Sequence, residues 1–571
     1  MSVRALEPIL LCLVVALGMT GPVWVADEPS LVGYWPATDL AGSVWAHWWT
    51  AEAIGTGINP FEGTASFFPV GLAPVMQYNL LDAILNAPLV WLAGPRIGYN
   101  LACVLALIST GLGAYVLAKT AGCGRAGALF AAVAIESSSA IALELFAGRL
   151  SQVMIVFLLL ALAGVLRLIQ NTPSARLSIG VGLFTAATAL VYWYFGFALI
   201  LAGGAIVLLR RSTLQRRHWR ALCLAGAVGL SLTLPAVIDL LQQWDSLPGV
   251  DRGGATTESG RQIAINNGRW PLWPLVSPGP LHGHQIGLIT LFLVGWAIHA
   301  RAPRIHAWLL IAATGWVLAM GPVLHGWSGP TEIGLPFGWM MDHIPTFERM
   351  WWPRRFEILT TIGLTVVAAK GLDDWVKTRR RPHVWWGAAL LFSVVDAPLR
   401  SGIIPIASTT PPPVQADLYA PVDGPILTTP LQPTGPISNR LLWAQTVHGF
   451  PTLNGDGEHI DGHQSREFQA WMSQSRVLQA LSSLEKTGRV RAEITPDDVL
   501  FLIESGLRYA VVDPAIFQHP IASETHIQFF RAIWGPAIHT HKHGAVWELV
   551  PIQQSVQLEL RTVKKSARRS R

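Results

Sequence analysis

Long apolar runs separated by short basic clusters dominate the first ~400 residues of the chain. After Arg4, residues 8–26 form an apolar run close to the ~20 residues that cross a bilayer. Further runs cover residues 98–118, 126–143, 153–169, 177–191, 195–209, 221–241, 286–299, 307–324, 356–372 and 384–395, each of span length or somewhat shorter. Residues 80–92 are also apolar, but the run is short and Asp82, Asn86 and Pro88 interrupt it, which predicts a re-entrant or interfacial helix.

Charge fixes the order in which these runs cross. With the N-terminus inside, one side receives Lys119 and Arg125, then Arg167 and Arg176, then Arg210, Arg211, Arg216, Arg217 and Arg220. The same side receives Arg301 and Arg304, and finally Lys377, Arg379, Arg380 and Arg381. This is the cytoplasmic enrichment of Lys and Arg that orients membrane proteins. Counting residues 80–92 as a full span would move Lys119 and Arg125 outside, so the pattern predicts eleven spans, with the N-terminus inside and the C-terminus outside. Bulky Trp24 stands where signal peptidase needs a small side chain, which favours an uncleaved first anchor.

The pattern changes near Arg400. Pro411, Pro412 and Pro413 mark a linker over residues 397–424, leading into a polar region over 425–560. Residues 426–429, 508–512 and 545–550 predict strands, and residues 465–484 predict an amphipathic helix. Thr495, Pro496, Asp497 and Asp498 predict a helix start, and residues 561–571 a basic, disordered tail. The predicted fold class is an α-helical polytopic membrane domain over residues 1–396, with a large first outside loop over 27–97, followed by an extracytoplasmic α/β domain.

Composition agrees with a membrane protein and removes other classes. Of 571 residues, 51% are hydrophobic and only 13% charged, too little charge for a soluble protein of this size. The net charge of +6 lies in the short loop clusters, so nucleic acid is not an expected partner. Cys12, Cys103, Cys123 and Cys223 lie in or beside apolar runs without metal-ligand spacing, so neither a disulfide nor a thiolate metal site is expected.

The outside loops carry the candidate chemistry. Asp39 follows the first span closely and precedes Trp45, Trp48 and Trp49, which are placed to pack over the membrane surface and lower the local dielectric. A carboxylate there can serve as a general base, although a lone loop acid is ordinarily only solvated. His47 and Trp48 are the same loop's candidates for substrate or lipid-phosphate contact. Glu144 stands in the second outside loop with Arg149 five positions on, and Glu136 lies deeper, inside an apolar run. Arg349, Arg354 and Arg355 cluster on the outside, the side disfavoured for basic residues, and their planar guanidiniums suit a phosphate. Pairing with Glu348 and Glu357 is the structural alternative. His539, His541 and His543 alternate in a predicted strand and share one face, weak ground for a metal site.

These parts together resemble the GT-C superfamily of polytopic glycosyltransferases, with local text like that of bacterial members of GT-C type, including the YfhO-like group. The resemblance rests on Thr38-Asp39-Leu40, Asn59-Pro60-Phe61, Phe68-Pro69-Val70-Gly71, Tyr99-Asn100-Leu101, Gly148-Arg149, and Arg349 with Pro353-Arg354-Arg355-Phe356. It implies a sugar donor carried on a polyprenyl phosphate, a glycan, lipid or protein acceptor at the outer face of a bacterial inner membrane, and transfer with inversion. It also implies Asp39 as the base, Glu144 as a second acid, and Arg349, Arg354 and Arg355 as holders of the lipid phosphate. The second outside loop has no DxD, so metal dependence stays open, with a divalent cation as one alternative. Two other functions share this architecture: a non-catalytic protein that binds or moves a lipid-linked glycan, and a structural assembly factor for envelope glycans.

Overall fold

The computed structural model describes residues 3–35, 38–71, 80–243, 255–273, 275, 285–326, 329–344, 347, 350–401, 408–431, 436–455, 466–517 and 520–561. The chain divides into two compact units: Met1–Tyr34, Tyr78–Asp239 and Asp251–Thr409 form the first, and Trp35–Gln77, Leu240–Val250 and Thr410–Arg571 form the second.

The helices begin with α1 (Val3–Val25), α2 (Thr38–Thr56), α3 (Leu81–Thr120), α4 (Arg125–Glu136), α5 (Ser139–Phe146), α6 (Leu150–Val153), α7 (Val156–Gln170), α8 (Ala175–Val191) and α9 (Trp193–Arg210). They continue with α10 (Arg216–Gln243), α11 (Ala255–Asn266), α12 (Leu288–His299), α13 (His306–Ala319), α14 (Pro336–His343), α15 (Glu357–Lys377), α16 (Pro382–Ser401) and α17 (Pro436–His448). All but α2, α17 and the last four residues of α10 belong to the first unit, a polytopic membrane bundle.

Each of the eleven apolar runs is helical over most of its length. Among the described residues, six segments are long and apolar enough to cross a membrane: Leu6–Val25, Leu81–Thr120, Arg125–Phe146, Leu150–Gln170, Trp193–Thr213 and Arg216–Ile238. Ala175–Val191, Leu288–His299 and His306–Ala319 are apolar but shorter. The run over 307–324 stops early, because the chain leaves α13 and turns into a hairpin of β2 (Val323–Gly326) and β3 (Gly329–Gly334); β1 (Leu31–Val32) lies earlier in the chain.

Breaks in the helices have local causes. Within α3, Gly94 adopts φ 75° and ψ 170° just before Pro95, which separates the short 80–92 helix from the span that follows. The run over 126–143 is divided at Ser137 and Ser138, and the Ser138 side chain caps α5 by accepting from the Ile141 N–H. Asp373 caps α4 from a distant helix, accepting from the N–H groups of Gly124 (2.5 Å) and Gly127 (2.9 Å).

A long and largely enclosed element is α15. Its residues are buried along nearly the whole helix, which packs against α4, α12 and α13. Small residues permit this: a Cβ on Gly363 would lie 2.5 Å from the Trp308 carbonyl oxygen, and one on Gly315 of α13 would lie 2.6 Å from the Thr360 nitrogen.

In the second unit, α2 packs on α17. Trp45, Trp48 and Trp49, expected on a membrane surface, are instead buried with Ala41, Ala53, Ala65 and Leu442. The spacing explains it, since residues 41, 45, 48, 49 and 53 form one helical stripe. Trp45 Nε1 donates to Gln445 Oε1 at 2.8 Å, which satisfies the indole within the core.

The remaining strands are β4 (Ser408–Thr409), β5 (Ile426–Thr428), β6 (Arg489–Ile494), β7 (Tyr509–Val512), β8 (His539–His541), β9 (Gly544–Glu548) and β10 (Val556–Arg561). The main sheet runs β5-β7-β9-β8, with β5 and β7 parallel and the other pairs antiparallel, while β6 pairs with β10. Helices Arg466–Gln474, Arg476–Thr487, Pro496–Glu504 and Pro520–Trp534 complete an α/β domain. The single helix expected over 465–484 is two, because Ser475 caps the second by accepting from the Leu478 N–H. The start at Thr495 is a capping box closed by Asp498.

Two further expectations change here. Part of the predicted linker is packed, with Leu418, Tyr419 and Val422 buried against Ile426, Tyr509 and Val546. His539 and His541 lie on β8, but His543 sits in the turn before β9 with φ 67°, so the three histidines do not share a strand face. Of residues 561–571, read as a disordered tail, Arg561 instead ends β10, paired with Arg489, and 562–571 lie outside the described residues.

Candidate active site

Glu144 lies in the last turn of α5, where Gly148 (φ 79°) turns the chain back. That turn lets the Arg149 N–H donate to the Glu144 carbonyl at 2.8 Å, and Arg149 Nη1 reaches Glu144 Oε2 at 3.0 Å. Tyr99 from α3 donates to the Gly148 carbonyl at 3.3 Å and holds the turn in place. The Glu144 side chain is only 8% exposed, so the pair is an enclosed one.

The 3-10 turn Pro353–Phe356 leads into α15 and carries Arg354 and Arg355. The Trp352 N–H donates to the Tyr194 hydroxyl at 3.0 Å. The Arg355 guanidinium lies over three rings, Tyr192 at 4.9 Å, Tyr194 at 5.2 Å and Trp352 at 5.6 Å, while Arg354 lies 4.8 Å over Trp352. At the first position of α15, Glu357 is 1% exposed and accepts from Arg269 Nε at 2.5 Å.

One cavity joins these groups. Glu144, Gln152, Arg354, Arg355 and Glu357 line it together with Ala140, Ile141, Phe195 and Ile358. Burial lowers the pKa of the Arg354 guanidinium, and Glu144 opposes that effect, with Arg149, Arg269 and Glu357 also within electrostatic range. Arg354 Nε is buried and has no hydrogen-bond partner among the described residues. Among the described residues, the guanidiniums of Arg149, Arg269, Arg354 and Arg355 thus lie around the carboxylates of Glu144 and Glu357. Clustered guanidinium donors suit a phosphate, whose oxygens accept several charge-assisted hydrogen bonds at once. Among the described residues, Glu144 pairs with Arg149 and Glu357 with Arg269, and no group of three or more His, Cys, Asp or Glu could hold a metal ion.

The structure therefore brings together Glu144, Arg149, Arg354 and Arg355. Arg349 lies outside the described residues. Asp39 occupies the first turn of α2, in the second unit, and is half-buried. His47 is 1% exposed, with Nδ1 2.8 Å from the Ser43 carbonyl, and Trp48 belongs to the core between α2 and α17. Arg269, Gln152, Tyr192 and Tyr194 were not anticipated. The one signal for Arg269 is its position, a basic residue in the long loop that the charge pattern predicts to be outside. Glu136 is fully buried at the end of α4, and a Cβ on Gly111 would meet both its Oε2 and Cys12 Sγ.

Among solved structures, the mycobacterial arabinofuranosyltransferase AftD superposes with a TM-score of 0.52 at 16% identity, over 92% of this chain and 38% of that one. The fold is that of the GT-C membrane glycosyltransferases. Also similar are the Archaeoglobus fulgidus oligosaccharyltransferase in its apo form (TM-score 0.49, 11% identity, 97% of this chain and 76% of that one) and ArnT from Cupriavidus metallidurans bound to undecaprenyl phosphate (TM-score 0.44, 14% identity, 96% and 97%). The chain spans 38% of the length of AftD. No protein-family model matches the sequence, and comparison with curated proteins gives no match.

Proposed function

We propose that the protein is a membrane glycosyltransferase that takes a sugar from a polyprenyl-phosphate-linked donor and passes it, with inversion, to an acceptor hydroxyl at the outer face of the inner membrane. The observation that carries this reading is the cavity between α5 and the start of α15, where Arg354 and Arg355 meet Glu144 and Glu357 in a GT-C bundle. The arginines hold the lipid phosphate and stabilise the charge that gathers on it as the anomeric bond breaks. Asp39 is the base that takes the acceptor's proton, a role that rests on its place after the first span and on the GT-C resemblance. Arg149 holds Glu144 in position within the cavity.

The test is a transfer assay in proteoliposomes with a polyprenyl-phosphate-linked sugar. Asp39→Asn abolishes transfer while insertion and thermal midpoint stay as in the wild type; full activity in that variant removes Asp39 as the base. Arg354→Gln with Arg355→Gln reduces retention of a labelled polyprenyl phosphate by about tenfold or more, as expected for charge-assisted hydrogen bonds of roughly 1.5–3 kcal/mol each. Unchanged retention removes the phosphate role.

A further inference from the structure

One polar residue that lines the phosphate cavity has no task in the phosphate reading. Gln152 lies on α6 and shares the lining with Glu144, Arg354, Arg355 and Glu357, while the remaining lining residues are apolar. It is 8% exposed. Its backbone N–H donates to the Arg149 carbonyl at 3.0 Å, but among the described residues its carboxamide makes no hydrogen bond. Burying an amide without a partner is costly, and native structures satisfy nearly all such groups. Because Gln152 lines a cavity, the partner missing within the protein is one that a bound molecule can supply.

The local fold fixes the backbone that carries it. α6 is a single short turn whose Leu150 and Val153 are 0% exposed. Two hydroxyls of α3 hold it from either side: Tyr99 donates to the Gly148 carbonyl at 3.3 Å, and Thr110 Oγ1 to the Val153 carbonyl at 2.8 Å. The carboxamide is therefore presented from a preorganised position.

Chemistry narrows what it meets. Arg354 and Arg355 suit the phosphate, and Glu144 and Glu357 are paired with Arg149 and Arg269. Gln152 is neutral, with an acceptor oxygen and a donor nitrogen. A phosphate oxygen at pH 7 only accepts, so it leaves the carboxamide oxygen bare. A sugar hydroxyl both donates and accepts, and satisfies either end of the amide. In the donor, the phosphate is bonded to the anomeric carbon, so the hydroxyl on the adjacent carbon is the one covalently nearest the phosphate. That hydroxyl is the first within reach of a side chain that shares a cavity with the arginines.

We infer that Gln152 is a specificity-determining residue that hydrogen-bonds the 2-hydroxyl of the donor sugar. The substrate class is then a polyprenyl-phosphate sugar with a free 2-hydroxyl. This inference rests on the reading of the cavity as the lipid-phosphate site and adds to it the first group of the sugar that is recognised.

The experiment is competition binding on the full chain in lipid nanodiscs. Labelled decaprenyl phosphate is displaced by unlabelled decaprenyl phosphates of glucose, galactose and arabinose, and by the 2-deoxy counterpart of each. The wild type binds at least one 2-hydroxy donor about tenfold or more tighter than its 2-deoxy counterpart, as a lost buried hydrogen bond predicts. Gln152→Met, of similar length but without the amide, binds the two roughly equally, and Gln152→Asn, one carbon shorter, loses the preference as well. The readout is a ratio, so a general loss of affinity does not imitate it, and the wild-type ratio needs no variant to fold. Retention of decaprenyl phosphate by the wild type with no preference for any 2-hydroxy donor, or with a preference unchanged in both variants, overturns this inference and leaves the phosphate reading in place. Failure of the wild type to retain decaprenyl phosphate at all removes both.

Discussion

Burial acts plainly on His448, an ionisable side chain of the second unit. Its ring stacks on Tyr419 at 4.5 Å and lies 5.7 Å from Phe450, and its Nδ1 accepts from the Phe450 N–H at 3.1 Å. Burial lowers its pKa to about 3. The unfolded chain takes up this proton near the ordinary imidazole value of about 6.5, so it binds more protons than the folded chain at lower pH. The stability concerned is fully present above that value and is lost as pH falls towards about 3. The thermal midpoint of the wild type accordingly falls more steeply on acidification through this window than that of His448→Phe, and parallel curves would show that the ring does not titrate differently on folding. At this scale the sequence displays some of the site and hides the rest. Glu144, Arg149, Arg354 and Arg355 are visible because charge beside an apolar run, on the side disfavoured for basic residues, is conspicuous. Arg269 is not, since its pairing with Glu357 depends on the folded path of the loop between α10 and α12.

At the scale of elements, periodicity finds the helices but does not say what each face meets. The tryptophans of α2 read equally as a membrane-facing band and as a core stripe, and only the partner helix α17 decides between them. In α4 and α5 the run of hydrophobicity continues across a break that the Ser138 cap imposes. Helix contacts closed by glycine are the most demanding case. A leucine at Gly363 must displace the backbone of α13, at the 2.5 Å approach to Trp308, so Gly363→Leu costs at least about 1–3 kcal/mol and lowers the thermal midpoint in detergent. Gly295, with nothing within 4 Å of its added Cβ, is the control, and Gly295→Leu shifts stability by no more than about 0.5 kcal/mol. Equal shifts in the two variants would remove close packing as the reason for Gly363.

For the whole molecule, the division into a membrane bundle and an α/β domain was legible from composition, but the membership of the first loop was not. Trp35–Gln77 joins the C-terminal unit, through bonds such as Trp45 to Gln445 that link residues 400 positions apart. No local pattern encodes such a pairing. The basic loops predict an orientation. Reporter fusions after Arg220 and after Arg400 therefore lie on opposite sides of the membrane, the first inside and the second outside, and reporters on the same side would overturn that arrangement.

The enclosure of α15 has a consequence for how the phosphate cavity fails. Segments with few exposed backbone hydrogen bonds open only with the global unfolding of their unit, and their amides exchange with solvent last. Glu357 starts this helix, and Arg354 and Arg355 lie in the turn that feeds it. The cavity's cationic wall thus stands at the start of a long buried helix, and hydrogen exchange is expected to be slow in the interior of that helix and faster at its first turn, where amides lack intrahelical partners.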